Sequence, residues 1–475
     1  MFRGFALLFL LAAFEAPAQE YWSLQRCVDV AYQNNISIRQ TALGNEVAEV
    51  NRQAAWWNMM PSLNGSATHG YNWGQTIDRF TNQFATERIR SNSFGIQTGL
   101  VLFNGFQLRN AYSQTEIELE RAEADLLKVK NDIALNVVMA YLNVLLTKEF
   151  TEVARRTREA TASQQERISK LFLAGALAEG NLDEINARLA SDEADLVAAR
   201  GNVDLAMLSL VQLLLLTPEQ AASFDVQAPA LTDIASMQLP SSAQAALEYA
   251  LSAFPEIKRA DAAVRSAELG VEIARGAQYP TLSASFAYGT GYSGAAQQPV
   301  GELQLSEPFP IGYTQDDLTP VLSQQFMYTD YETIPFNRQV ENNVNQSLFF
   351  SLQIPLFNGL STHANIQRSK INALNVGYQA DQVRQQLTQT IERAYADARA
   401  ARSVYDANEA SVTSARRAFD YAEARFEAGA IHIAEYNDAR ARLDIALANS
   451  VRARYDFVFK AKVLDFYQGK VITLN

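Results

Sequence analysis

The residues able to do chemistry are few and scattered. The chain has three histidines, His69, His363 and His432, and one cysteine, Cys27. The histidines lie far apart and lack the spacing of metal ligands. A single cysteine cannot close an intrachain disulfide. No nucleophile elbow, phosphate loop or paired-cysteine motif occurs. The expectation is therefore a protein that is not an enzyme and holds no cofactor or metal. One pair of carboxylates stands out. Glu435 and Asp438 are one helical turn apart, just beyond Gly429, so both can face the same way. They could draw cations to a shared surface, or they could be an ordinary solvated helix face.

Four segments alternate with period two, as strands do. They cover about 62–74, 92–103, 281–292 and 346–357. In the first, Leu63, Ala67, His69, Tyr71 and Trp73 share a face against Ser62, Asn64, Ser66, Thr68 and Asn72. In the second, Phe94, Ile96, Leu100 and Leu102 oppose Gly95, Gln97 and Gly99. In the third and fourth, Phe286, Tyr288, Leu348, Phe350 and Leu352 oppose Ser283, Ser285, Ser347 and Ser351. Such lengths suit a tilted membrane strand. A soluble sandwich with one solvated face is the competing reading. Four strands cannot close a membrane barrel, since bacterial barrels start at about eight. If these strands span a membrane, several chains must share one barrel. His69, on an apolar strand face, suits an interfacial or structural role.

Between the strand pairs lie helices too long for a globular core. Residues 106–174 contain no Gly and no Pro, and the matching run 360–428 contains only Gly377. Each could form a rod of about 100 Å. Return helices are expected over 181–217 and 431–468. Leu119, Leu126 and Ile133, and then Leu189, Leu196, Val203 and Leu210, recur at heptad spacing, a coiled-coil-like seam. Phe172-x-Ala-Gly175 and Phe426-x-Ala-Gly429 fit helix C-caps between outgoing and returning helices. Pro61 and Pro280 lead into strands, and Gly105 and Gly359 mark the exits from strand to long helix.

The chain is written twice. Leu102-Phe103-Asn104-Gly105 returns as Leu356-Phe357-Asn358-Gly359 at an offset of 254, as does Phe172-x-Ala174-Gly175-Ala176 as Phe426-x-Ala428-Gly429-Ala430. Pro61 returns as Pro280 at an offset of 219. The change of 35 matches one insertion, because the loop 293–344 has 52 residues against 17 for 75–91. That loop carries seven Asp or Glu and only Arg338 as a basic residue. The repeats are expected over 19–237 and 238–475.

Residues 1–18 read as a secretory signal peptide, with Arg3, an apolar run from Phe5 to Phe14 and Ala16-Pro17-Ala18. No later segment reads as a transmembrane helix, the most apolar stretch, Leu205 to Leu216, being too short. A net charge of −12 disfavours nucleic acid as a partner.

This order of elements, duplicated after a signal peptide, resembles the TolC family of outer membrane efflux proteins. The carrying marks are the Leu-Phe-Asn-Gly motifs at 102–105 and 356–359 and the F-x-x-G turns at 172–175 and 426–429. The resemblance implies a mixed α and β membrane protein with long coiled-coil hairpins. It implies a homotrimer sharing a 12-stranded β-barrel in outer membrane lipid, above a twelve-helix periplasmic tunnel. Such a duct passively conducts solutes in a tripartite efflux or type I secretion system. Its tips, here Phe172, Gly175, Phe426 and Gly429, would meet a periplasmic adaptor and an inner-membrane transporter. The resemblance also places Glu435 and Asp438 in acidic rings that narrow the entrance. The family's polar latch is not matched, since Phe426, Ile431 and Asn181 stand at its tyrosine, basic and aspartate positions. Closure by packing is the expectation. A secreted coiled-coil scaffold or adhesin without a pore is the alternative function.

Overall fold

The structure, a computed structural model, describes residues 20–85, 88–227, 237, 239–240 and 242–470. The expected signal peptide, residues 1–18, lies outside them. In the first repeat, β1 (Glu20–Trp22), α1 (Leu24–Asn34) and α2 (Ile36–Trp57) lead to β2 (Ser62–Asn72), β3 (Thr76–Ile77), β4 (Phe84–Ala85) and β5 (Ile89–Asn104). Then come α3 (Gln107–Leu173), α4 (Glu179–Leu214), α5 (Pro218–Ser223) and β6 (Phe224–Val226). The second repeat opens with α6 (Gln244–Ala253), α7 (Pro255–Gly276) and β7 (Thr281–Ser293). Six short strands follow: β8 (Gln297–Pro299), β9 (Leu303–Leu305), β10 (Phe309–Tyr313), β11 (Pro320–Ser323), β12 (Phe326–Tyr328) and β13 (Tyr331–Thr333). The chain ends in α8 (Phe336–Asn342), β14 (Asn345–Gln353), α9 (Ser361–Glu427) and α10 (Ile433–Tyr467).

Two compact units result. The helical unit lies within Met1–Glu49, Ile117–Ser266 and Leu374–Asn475. It holds most of α3 and α9, which are 67 residues each, about 100 Å if straight. The main core gathers Val137, Val138, Tyr141 and Leu145 of α3, Leu210 and Leu214 of α4, and Phe457 and Val458 of α10. Strands β1 and β6 pair in parallel beside it. The Tyr141 hydroxyl sits between the Trp22 and Gln227 carbonyls at 3.1 and 2.6 Å, pinning both strands to α3. Cys27 is buried in the same core, and burial pushes its thiol up to about 12, which leaves it unreactive. Stretches of α3 and α4 are long and apolar enough to cross a membrane by composition, contrary to the sequence expectation. Part of that apolar surface packs into this core. Of the expected seam on α4, Leu196 and Leu210 are buried, and Leu189 and Val203 are half-buried.

The second unit, Val50–Glu116 and Ala267–Ala373, is built on one four-stranded antiparallel sheet of order β14-β7-β5-β2. One face carries Leu63, Phe94, Ile96, Phe286, Leu348 and Phe350, which the ladder register brings side by side. The other is mostly Ser, Gly, Asn and Gln, with Ile89, Val101 and Phe349 as intruders. The apolar face stays open: Leu63 is 74% and Phe350 65% exposed.

Partner strands, rather than propensity, set the strand ends. β5 starts at Ile89 instead of 92, because β2 extends far enough to pair with Ile89 and Arg90, and β7 with Ser91. β14 stops at Gln353 instead of 357, because β7 begins only at Thr281, after Pro280, and Pro355 lacks a donor N–H. A bulge at Val101/Phe103 leaves Leu102 without a partner and puts Phe103 opposite Leu282. The expected long loop 293–344 is a folded arm. Its strands nest in antiparallel pairs β8–β13, β9–β12 and β10–β11, followed by α8. The long helices match expectation to within a residue at each end, Gln107–Leu173 and Ser361–Glu427. The return helices are shorter than expected, Glu179–Leu214 and Ile433–Tyr467. α4 stops where Leu215 turns left-handed, and Thr217 with Gln220 caps a new helix behind Pro218.

Candidate functional site: the helical tips

Each long helix ends in the same hydrogen-bonded turn. At the first tip the Gly175 N–H donates to Phe172 O at 2.8 Å and the Ala176 N–H to Leu171 O at 2.9 Å. At the second, Gly429 donates to Phe426 O at 3.0 Å and Ala430 to Arg425 O at 2.8 Å. This double bond pattern is a Schellman cap. It needs a left-handed residue at the glycine, and φ is +75° at Gly175 and +69° at Gly429. The two F-x-x-G motifs thus encode the reversal of the chain at both tips.

The tips are packed with apolar side chains. Ile168, Ile185 and Ile433 form one buried cluster, with Leu177, Leu182 and Phe426 against it. Phe419, Tyr436 and Leu443 form another, with Phe426 and Ile431 against it. Phe426 therefore belongs to both, and its ring centre lies 5.1 Å from that of Tyr436. Burial raises the Tyr436 phenol, partly offset by Arg440. Phe172 is half-buried and belongs to neither cluster.

Polar links join the two repeats nearby. Arg167 pairs with Glu427 at 2.7 Å, and Asn437 donates to Glu184 at 2.9 Å. A deeper network joins α3, α4 and α10. Asp192, 3% exposed, accepts from Thr161 at 2.6 Å and pairs with Arg188 at 3.0 Å. Arg188 reaches Asp444 at 3.3 Å, which also pairs with Arg440 at 3.2 Å and accepts from Thr157 at 3.2 Å. Burial raises the Asp444 carboxyl, partly offset by Arg440 and Arg188. The sequence reading passed over this network. Its signal was Asp192, seven residues beyond Ile185 in an otherwise apolar register.

Glu435 and Asp438 lie in the first two turns of α10 and are exposed, whereas Ile433, Tyr436 and Leu443 are buried. The carboxylates thus project off the packed face. They are not equivalent. Asp438 pairs with Arg442 at 2.6 Å, and no ion pair holds Glu435 among the described residues. Asn181 bonds only locally, its Nδ2 donating to Ala178 O at 3.4 Å.

The elbows lie in the sheet unit. Pro61 and Pro280 immediately precede β2 and β7. Gly105 and Phe106 both have positive φ, +66° and +62°, as do Gly359 and Leu360, +61° and +64°. Two successive left-handed residues turn each strand into its helix. Gly105 is also tightly packed, since a Cβ there would lie 2.2 Å from Gly276 O. Among the described residues no three His, Cys, Asp or Glu side chains gather as metal ligands. His69 bonds Asn92 at 2.9 Å and meets Tyr71 edge to face, a structural role.

The chain thus combines long helices that reverse at capped tips with a sheet that has one open apolar face. The sequence profile of the outer membrane efflux protein family matches residues 27–214 and 246–469, one span in each repeat. The chain belongs to this family. It is a non-enzymatic outer-membrane efflux channel with a helical periplasmic part, of the kind that works with adaptor and inner-membrane pump partners. The outer membrane efflux protein BepC of Brucella suis biovar 1 (strain 1330) is 24% identical over 391 residues, covering 82% of this chain and 73% of that protein. The fold is similar to that of CusC, with a TM-score of 0.75 at 17% identity over 97% of this chain and 96% of that one. It is also similar to VceC of Vibrio cholerae, with a TM-score of 0.71 at 16% identity over 94% and 96%.

Proposed function

We propose that three copies of this chain share one twelve-stranded barrel continued by a helical tunnel, and that this trimer is the conducting duct. The observation that carries the reading is the open sheet. β2 and β14 are its two edges, and each successive pair in the order β14-β7-β5-β2 is antiparallel. β14 of one copy therefore runs antiparallel to β2 of the next, and the ladder can close without reversing a strand. In lipid each unpaired backbone group at an open edge costs several kcal/mol. Closure removes both edges. The exposed apolar face then meets lipid, and the Ser, Gly, Asn and Gln face lines a wet lumen.

All four strands join their helices at one end of the sheet, and the loops 73–88 and 294–344 join them at the other. With the helices in the periplasm, the arm faces outside the cell. The tips, with Phe172, Gly175, Phe426 and Gly429, meet the periplasmic adaptor. Pro61, Gly105, Pro280 and Gly359 act as elbows between barrel and tunnel. Glu435 and Asp438 from three copies ring the entrance and favour cations. With Phe426 and Ile431 packed in apolar clusters, packing contributes to holding the tips. The test is mass photometry of the detergent-extracted particle. Three times the chain mass is expected, and a stable monomer overturns the shared barrel.

A further inference from the structure

We propose that Arg88, over the Tyr71 ring, and Arg90, over the Tyr292 ring, bind the phosphate groups of the phosphorylated glycolipid that forms the outer leaflet. The proposal rests on the barrel reading above. Arg90 is the only Asp, Glu, Lys or Arg within the four strands of the sheet. It is the ladder partner of Tyr71, and its parity along β5 puts it on the face of Phe94 and Ile96. That is the face assigned to lipid, where a charge is tolerated only near the headgroups.

The site lies at that level. From Leu282 to Tyr292, β7 advances ten residues, about 33 Å along the strand and about 25 Å along the membrane normal at a tilt of ~40°. This equals the height of a barrel's apolar band. Leu282 starts the band at the helix end, and Tyr292, ladder partner of Asn92, ends it beside Arg90. Aromatic rings gather here, Tyr71 and Trp73 exposed and Tyr292 buried. Tyr71 lies 6.1 Å from Trp73, and Tyr292 lies 5.5 Å from Phe336. The Arg88 guanidinium sits 5.2 Å from the Tyr71 ring centre, and that of Arg90 sits 4.6 Å from the Tyr292 ring centre.

Stacking on a ring fixes a guanidinium plane while leaving its N–H edge free. Among the described residues neither arginine has a carboxylate in ion-pair range. Two pre-oriented forks at headgroup level suit a phosphate, which Arg binds through paired N–H donors. A bare hydrocarbon or a neutral sugar offers them nothing.

The test uses the full chain purified in detergent. It is titrated with lipopolysaccharide, with the same lipopolysaccharide after enzymatic removal of its lipid phosphates, and with inorganic phosphate. The intact lipid should bind, and dephosphorylation should weaken binding at least tenfold. The double variant Arg88→Gln, Arg90→Gln should bind both lipids alike, at the weaker level, as expected for loss of charge-assisted hydrogen bonds. Arg90→Lys, which keeps charge but loses the planar fork, should fall between. Should the double variant not assemble, Arg88→Gln alone lies outside the strands and permits the same comparison. Equal binding of intact lipid by variant and parent overturns the site. Inorganic phosphate binding as tightly as the lipid overturns the lipid assignment. Either result obtained on an intact trimer leaves the shared barrel standing, and a monomeric particle removes that reading instead.

Discussion

Within a single chain, replacing Gly105 by alanine should destabilise far more than the same change at Gly359, although both glycines end a Leu-Phe-Asn-Gly motif. Both sit at left-handed φ, +66° and +61°. An alanine in that conformation costs about 1–2 kcal/mol at either position. The surroundings differ. At Gly105 the added Cβ would lie 2.2 Å from Gly276 O and 2.9 Å from Tyr279 Cβ, and at Gly359 it meets nothing within 4 Å. Overlap with backbone adds about 1–3 kcal/mol. The expected costs are therefore about 2–5 kcal/mol for Gly105→Ala and about 1–2 kcal/mol for Gly359→Ala. Asparagine separates the two contributions, because it accepts the left-handed region. Gly359→Asn should be close to neutral, and Gly105→Asn should be at least as harmful as Gly105→Ala. Urea midpoints followed by circular dichroism would measure the four variants on the unassembled chain, since β14, which leads to Gly359, is an edge strand that another copy covers in the proposed barrel. Equal loss at the two alanine positions, or a silent Gly105→Asn, would refute the packing argument.

The acidic pair at the tip should act unequally. Glu435→Gln should lower single-channel cation selectivity more than Asp438→Asn, because Arg442 already offsets Asp438, and Arg442→Gln should raise it. Just after β3, burial raises the Asp78 carboxyl, but hydrogen bonds from Ser293, Thr81 and Phe80 outweigh this and hold it below the usual carboxylate range. Its stabilising contribution is full above the unfolded carboxylate value of about 4 and is lost as pH falls through the lowered folded value. Hydrogen-exchange protection of the Phe80 and Thr81 amides, which donate to Asp78, should drop on acidification, and Asp78→Asn should abolish that dependence. Asp192→Ala leaves Thr161 without its acceptor and Arg188 with Asp444 alone. It should cost about 1–3 kcal/mol in urea unfolding, and a neutral result would mean that solvent replaces the network. A tag inserted at Gln315, in the turn between β10 and β11, should be labelled on intact cells, whereas labelling only after permeabilisation reverses the topology.

Much of the site was readable because its signals are local. A Schellman turn is specified within six residues, so Phe172 to Ala176 and Phe426 to Ala430 announced both tips. Amphipathic alternation over 62–72 or 345–353 identifies a strand and its apolar face without its partner. The Asp192–Arg188–Asp444 network was not readable, since its members come from both repeats, 256 residues apart at Arg188 and Asp444. Residues 293–344 lacked sustained periodicity because the arm is made of strands of three to five residues. Each is held by a distant partner rather than by its own pattern.

The sequence alone determined the duplication, the long helices, the capped reversals and the four membrane-length strands. These rest on periodicity and on conformations that only glycine or proline takes easily. Tertiary structure decided everything that depends on register. Pairing with β7 moved the apolar position from Leu102 to Phe103 and ended β14 at Gln353. The approach of Gly276 made Gly105 irreplaceable, a contact that its motif does not announce. The ladder also brought Arg90 beside Tyr71, a partner nineteen residues away in the chain. A local pattern can specify a residue's own conformation. It carries no information about which distant atom will stand opposite, because that is settled only when the strands pair and the helices dock.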